Sequence, residues 1–378
     1  MEPFKNLIDR TLVRHAAEAL GRSHAGFERE RFERLALRGL EGLELKARAM
    51  QIADALEATL PTDFDQACAV IEAALAPPIA VIGEQAAPRE ATDGLAGWVI
   101  WPLGEFVARR GIGEPERAMR ALHALTQRLT AEFAVRPLLV AHPQFVLQTL
   151  LQWTRDPSAH VRRLASEGSR PRLPWGLRLQ ALVADPTPTL PILTALQDDP
   201  SPYVRRSVAN HLNDIAKDHP LLVVDWVRRH LPGAPPQRQA LLRHASRTLI
   251  KRGDGAMLAL WDVGTPFEGR CRLQLAPRRI AIGDAVQLTL VLRSTSAAPQ
   301  SLLVDYTVHH ATARGGTSAK VFKGWRVTLQ PGQALTLSKR HSFKPVTTRR
   351  YHAGVQAIEV TINGAVVARG SVRLRLGG

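Results

Sequence analysis

DPSAHVRRLASEG (156–168) returns 43 residues later as DPSPYVRRSVANH (199–211), and that repetition decides the fold. An offset of this length belongs to two-helix repeats of the HEAT and armadillo kind, which bury their apolar faces only by stacking on one another. In each copy an Asp precedes a Pro and then an apolar-periodic run. Asp156 and Asp199 therefore read as helix N-caps, with Pro157 and Pro200 at the first helical position, where a missing N–H costs nothing. In the second copy Val204, Val208, Leu212 and Ile215 share one face at steps of three and four, while Arg206, Asn210, Asn213, Asp214 and Lys217 share another. Stacked repeats would put the second set on the inner, concave wall of an α-solenoid, where such proteins bind their partners. Arg163 and Glu167 occupy the places of Arg206 and Asn210 in the first copy. That copy then breaks into GSRPRLPWG (168–176), whose prolines stop the helix and leave Trp175 on a loop.

Outward from this pair, residues 1 to about 80 show helical spacing, with Phe32, Leu35, Leu43, Ile52, Ala55 and Leu56 in the apolar stripe and Pro61 closing it. The stretch 76–94 is a Pro- and Gly-interrupted connection, open either to a partner or to covering a helix end. In WVIWPLGEFVARRG the aromatic residues Trp98, Trp101 and Phe106 are expected in the core. The spacing of 114–139 predicts one long amphipathic helix ending at Arg136, before Pro137. Glu132 would then sit near its C-terminus, where the helix dipole disfavours a carboxylate, either solvated or paired with Arg136. Helix pairs continue to about Trp261, giving a helical domain over 1–264. From about Phe267 the period changes to two, and seven alternating stretches separated by turn signals predict an all-β, immunoglobulin-like sandwich over 267–378.

Charge divides unevenly between the two parts. The chain carries +16, and residues 267–378 alone hold 17 Lys and Arg against Glu268, Asp284, Asp305 and Glu359, a net of +13. Pairs such as Arg278–Arg279, Lys339–Arg340 and Arg349–Arg350 supply much of it. A sandwich this basic is expected to clamp a polyanion while the helical part holds it in place. Two cysteines, Cys68 and Cys271, far apart and in different domains, fit a reducing compartment, and MEPFKNLIDR lacks an apolar signal core, so cytoplasm is the expected location. No stretch is apolar enough for a membrane span. CxxC, HExxH, Walker and GxSxG patterns are all missing, and His309 and His310 would point to opposite faces of a strand, so neither metal nor cofactor is expected. What remains is a wall bearing Glu167 and Asp214 among Arg and Lys, beside a loop Trp. Carboxylates that repel a polyanion need either a cation to pair with or a positive charge to stabilise.

Four segments carry a family resemblance: AEFAVRP (131–137), RRLASEGSRPRLPWG (162–176), RRSVANHLNDIAKDHP (205–220) and GLEGLELKARAMQIADAL (39–56). Together they resemble the AlkC family of bacterial alkylpurine DNA glycosylases, and the sandwich is similar to the immunoglobulin-like extension of one branch of it. The resemblance implies a C-shaped array of repeats gripping duplex DNA that carries alkylated bases, and a monomer is expected. It further implies excision of 3-methyladenine, and in some members 3-methylcytosine, to leave an abasic site without conventional base flipping. Carried over by motif, the functional positions are Glu132, Glu167, Trp175 and Asp214, each intact. Arg163, Arg170, Arg172, Arg206 and Lys217 are added by charge and position as phosphate contacts, Lys217 alternatively as a partner of Asp214. With acids and an indole but no needed Lys nucleophile, a monofunctional enzyme is expected, cationic bases being the labile ones. A non-enzymatic HEAT-repeat scaffold that binds DNA or protein is the rival reading.

Overall fold

The structure is a computed structural model that describes residues 4–82, 85–86, 93–261, 266–313, 315–346 and 350–375. The middle of the 76–94 connection, Arg349 and the 264 boundary lie outside the described residues. Helices α1 (Arg10–Ser23), α2 (Arg29–Leu37), α3 (Leu45–Glu57) and α4 (Phe64–Ala73) precede a two-stranded ribbon, β1 (Val81–Ile82) with β2 (Gln85–Ala86). Then follow α5 (Ile100–Arg110), α6 (Pro115–Thr126), α7 (Val135–Ala141), α8 (Pro143–Trp153), α9 (Ala159–Gly168), α10 (Gln180–Ala184), α11 (Leu190–Leu196) and α12 (Pro202–Ile215). Four further helices are α13 (Pro220–His230), α14 (Pro236–Ala245), α15 (Arg247–Arg252) and α16 (Gly255–Leu260). Two compact units result, one of residues 1–223 with 231–245 and one of 224–230 with 246–378. Among the described residues no helix is long and apolar enough to cross a membrane.

The two copies of the repeat become α9 and α12, which pack against each other, and the stripe of Val204, Val208, Leu212 and Ile215 is buried. Their starts differ from the sequence expectation. The N-cap positions are Ser158 and Ser201, and the Asp residues lie two places earlier, each turning the chain by accepting the Ser backbone N–H at 2.8 Å. The aspartates have a second task, which explains their recurrence. Arg162 of the first copy donates to both carboxylate oxygens of Asp199 (2.6 and 3.0 Å), and His123 of α6 bonds Asp156 at 2.7 Å. Each repeat is thus tied to the one before it by a carboxylate at its entry.

The expected long helix over 114–136 is instead two. α6 stops at Thr126 and α7 begins at Val135, so Pro137 stands in the first turn of a new helix, where its absent N–H leaves no bond unmade. Glu132 consequently precedes a helix N-terminus rather than closing a C-terminus, and the dipole favours its charge.

Each of the seven expected strands forms, with one short addition. Strands β4 (Arg279–Ala281), β10 (Ala365–Arg375), β9 (Gly354–Ile362), β6 (Gln300–Ala311) and β7 (Thr317–Leu329) make one sheet in that order, and β3 (Gly269–Ala276), β5 (Ala285–Ser294) and β8 (Ala334–Ser342) the other. Alternation places Leu288, Leu290 and Leu292 against Val304, Tyr306, Val308, Ile358 and Val360 in the shared core. Outward positions on the three-stranded sheet include Arg270 opposite Arg293, Arg272, and Arg340 opposite Gln287. His310 is buried and His309 points outward to Glu359 at 3.1 Å, on opposite faces as expected.

Candidate active site

Three segments of the first unit converge where the second copy of the repeat meets the first. α9 brings Arg163 and Glu167, and its end at Gly168 lies so near α7 that a Cβ there would come within 2.5 Å of the Val135 side chain. The chain then loops through 169–179 before α10. Backbone N–H groups of Gly176 and Leu179 donate to Leu173 and Pro171 carbonyls at 3.3 and 3.2 Å, so the loop is closed on itself. Arg136, wholly buried on α7, clamps both ends by donating to the carbonyls of Gly168 (2.9 Å) and Leu177. Burial, together with the nearby Arg170 charge, brings its pKa down to about 10, which still leaves it charged near neutrality.

From Glu132 to Lys217 the side chains form one row of alternating charge. Arg163 donates to Glu132 and Thr130, both at 2.8 Å, and lies 3.4 Å from Glu167. Its guanidinium also sits over the Tyr203 ring, 5.0 Å from the centroid. Arg170 donates to Glu167 at 2.6 Å and through Nε to Asp214 at 2.8 Å, and Lys217 donates to the other Asp214 oxygen at 2.7 Å. The second Glu167 oxygen accepts from the Ser207 hydroxyl at 2.6 Å. Burial pushes the Glu167 carboxyl up, but Arg163, Arg170 and the Ser207 bond outweigh it and hold it below the usual carboxylate range. His211 completes the α9–α12 junction through Nδ1 to the Ser166 carbonyl at 2.9 Å. Burial and the Arg170 charge take its pKa down to about 3, so it is neutral.

The sequence pictured Glu167 and Asp214 on an open wall. In the structure they are 5% and 1% exposed, with Arg170 at 6% between them. Carboxylates can be desolvated this far only when cations interleave with them. Arg163 and Arg170, expected at phosphates, are occupied by this pairing. Arg172 is bidentate with Asp218 (2.5 and 2.6 Å), and Arg206 and Lys217 are exposed. Glu132 pairs with Arg163, not with Arg136.

Trp175 stands at the tip of the loop, 65% exposed and with φ at 64°, a backbone setting that costs a non-glycine residue about 1–3 kcal/mol. It lines a pocket of about 300 Å³ together with Trp98, Trp101, Phe133, Glu132 and Glu167. Phe106 and Trp101 are buried as expected, whereas Trp98 is partly exposed; both indoles also form the pocket wall, with Trp101 tilted against Phe133 at 4.9 Å between ring centroids. Sequence reasoning did not foresee that these two indoles line a pocket or that Arg136 clamps the loop. Helical spacing marks an apolar face without saying whether that face is covered, and a single Arg in a helix gives no sign of being sealed.

Helical repeats enclosing paired acids beside an exposed indole, and a basic sandwich, define a DNA alkylation repair protein by comparison with known families. Residues 129–249 match the DNA alkylation repair enzyme family, and 270–376 match the C-terminal Ig-like domain of the uncharacterised protein YhaZ. Over 372 residues the chain is 35% identical to the uncharacterized protein YhaZ of Bacillus subtilis, covering 97% of this chain and 98% of that one. It also matches the alkylpurine DNA glycosylase AlkC of Pseudomonas fluorescens, solved bound to DNA containing an abasic site analog, with TM-score 0.90, 33% identity, and 99% and 100% of the two chains covered. The chain belongs to the AlkC-type alkylpurine DNA glycosylase family.

Proposed function

We propose that this chain is a monofunctional glycosylase that hydrolyses the N-glycosidic bond of cationic alkylated bases in duplex DNA, 3-methyladenine first and 3-methylcytosine as a further substrate. The observation that carries the reading is the row of three carboxylates ending beside Trp175, all on one side of the first unit. As the bond breaks, its electron pair passes to the base nitrogen, the base leaves neutral, and the sugar becomes oxocarbenium-like. Glu132, Glu167 and Asp214 supply negative potential for that sugar, Trp175 offers its ring face to the same charge, and a water adds its oxygen to C1′ while its proton passes to a carboxylate or solvent. Discrimination then follows the lability of the lesion, which requires no conventional flipping of the base. Strand cleavage would require an amine nucleophile at C1′, and this reading assigns none.

In this reading 1–264 form the catalytic domain and 267–378 a DNA clamp. Arg270, Arg272, Arg293 and Arg340 project from one sheet face, and like charges set directly opposite, as Arg270 and Arg293 are, destabilise a sheet unless an anion lies over them. The test is incubation with N-methylated duplex DNA, identification of the released bases by chromatography, and a parallel assay for nicked strands. Release of 3-methyladenine with strands intact is the expected result. Tight DNA binding with no base released would leave a non-enzymatic scaffold.

A further inference from the structure

Next to the row of charges lies a second, open groove of about 590 Å³, lined by Arg172, Trp175, Arg178, Gln180 and Lys217 among others. Three cations line it and no carboxylate does. Arg172 is turned toward Asp218, which stands beside Lys217 in sequence, whereas Arg178 is exposed and, among the described residues, makes no ion pair. One of these cations belongs to both places: Lys217 lines the groove and also covers the outer oxygen of Asp214.

That double membership matters because Asp214, as it stands, is poorly placed to stabilise a positive sugar. Both its oxygens are taken, and a cation at 2.7 Å cancels most of the field that a carboxylate would project. Its two partners differ in mobility. Arg170 is a buried, planar fork fixed between two acids, but Lys217 carries its ammonium on a flexible stem that reaches water, and an ion pair open to water is weak.

We propose that the groove of Arg172, Arg178, Gln180 and Lys217 binds a backbone phosphate beside the lesion, and that this phosphate draws Lys217 off Asp214, uncovering the carboxylate only when DNA is in place. The idea rests on the excision reading for its purpose, since a charged sugar is what the freed carboxylate would meet. Coupling of this kind is reciprocal: whatever phosphate contributes to freeing Asp214, a cationic sugar returns to phosphate binding. Lys217 is in this account a positioning residue, and Arg178 and Gln180 are phosphate ligands.

The experiment measures binding by the full chain to duplexes that contain one abasic analogue, either a neutral tetrahydrofuran or a cationic pyrrolidine. Each linkage flanking the analogue is in turn a phosphodiester or an uncharged methylphosphonate. For the parent, the preference for the cationic analogue should fall at least about fivefold at one linkage, the lower end of ordinary coupling between sites. Lys217→Met should prefer the cationic analogue at every linkage, and Arg178→Gln should lose affinity for the phosphodiester duplex but not for the methylphosphonate one. Lys217→Gln, with circular dichroism, serves if the Met variant does not fold. A preference in the parent that ignores every linkage, or a Lys217 variant as linkage-sensitive as the parent, overturns the proposal. Base release from methylated DNA is followed on the same preparations. Absent release with linkage-dependent preference intact sinks the excision reading and leaves the phosphate groove standing, and the converse sinks the groove alone.

Discussion

Asp214→Asn tests the electrostatic argument with least change of shape. The substitution keeps an oxygen for Arg170 and removes one negative charge from a cluster in which Glu132, Glu167 and Asp214 face Arg136, Arg163, Arg170 and Lys217. Deleting one member of a buried ion pair costs about 3–5 kcal/mol of stability. The lower end applies here, because Arg170 retains Glu167 and Lys217 reaches water. Against a typical total of about 5–15 kcal/mol the variant remains folded at ambient temperature, which circular dichroism would verify. Its effect on the reaction should be larger than its effect on binding. Losing one preorganised charge at a developing cation slows a reaction about 100- to 1000-fold, whereas duplex binding, which the substitution leaves every cation to support, should persist. The assay is single-turnover release of 3-methyladenine from methylated duplex DNA, with enzyme in excess and binding followed by fluorescence anisotropy. Release within about tenfold of the parent, from a folded variant that binds DNA, would refute the assignment of Asp214 to the chemistry.

Trp175→Ala should cut base release while changing stability by no more than about 1 kcal/mol in thermal melts, since the indole is exposed and its backbone setting is already strained; a large stability loss with normal release would make it a packing residue. Glu167 is held below its ordinary value of 4.5, so between its folded and unfolded values the unfolded chain binds more protons, and stability rises with pH. The contribution is therefore present above about that value and lost as pH falls through the folded one; urea melts between pH 6 and pH 3 should show this loss in the parent and less of it in Glu167→Gln. Replacing Arg270, Arg272 and Arg293 by Gln should weaken DNA binding and flatten its logarithmic dependence on salt by about 2–3 units, roughly 0.9 for each lost phosphate contact. An unchanged slope would place the clamp on another face.

How far the chain could be understood from its letters varied with the range of the interaction. The repeat, the apolar stripe of α12 and the change of period near 267 are local patterns, and all of them appear in the structure. The seven strands appeared for the same reason, while β4, only three residues long and held by its parallel pairing with β10, has too little alternation of its own to be seen. Pro137 misled because a proline marks a helix boundary without saying on which side the helix lies. At the site, motif resemblance pointed to Glu132, Glu167, Trp175 and Asp214; the first three line one pocket, and Asp214 continues the row of charges that leads from it. Their burial was not legible. Whether a charge is sealed depends on which cations arrive from segments distant in sequence, as Arg163 does for Glu132 across 31 residues and Arg170 for Asp214 across 44.

The alternation of sign along Glu132, Arg163, Glu167, Arg170, Asp214 and Lys217 also constrains how such a protein can change over generations. A mutation at any interior place strands its neighbours with an unmatched charge away from water, so viable drift must alter adjacent members together. Related sequences should accordingly vary at Arg170 and Asp214 as a unit, and a lineage that abandons the reaction should lose the whole string rather than a single bead.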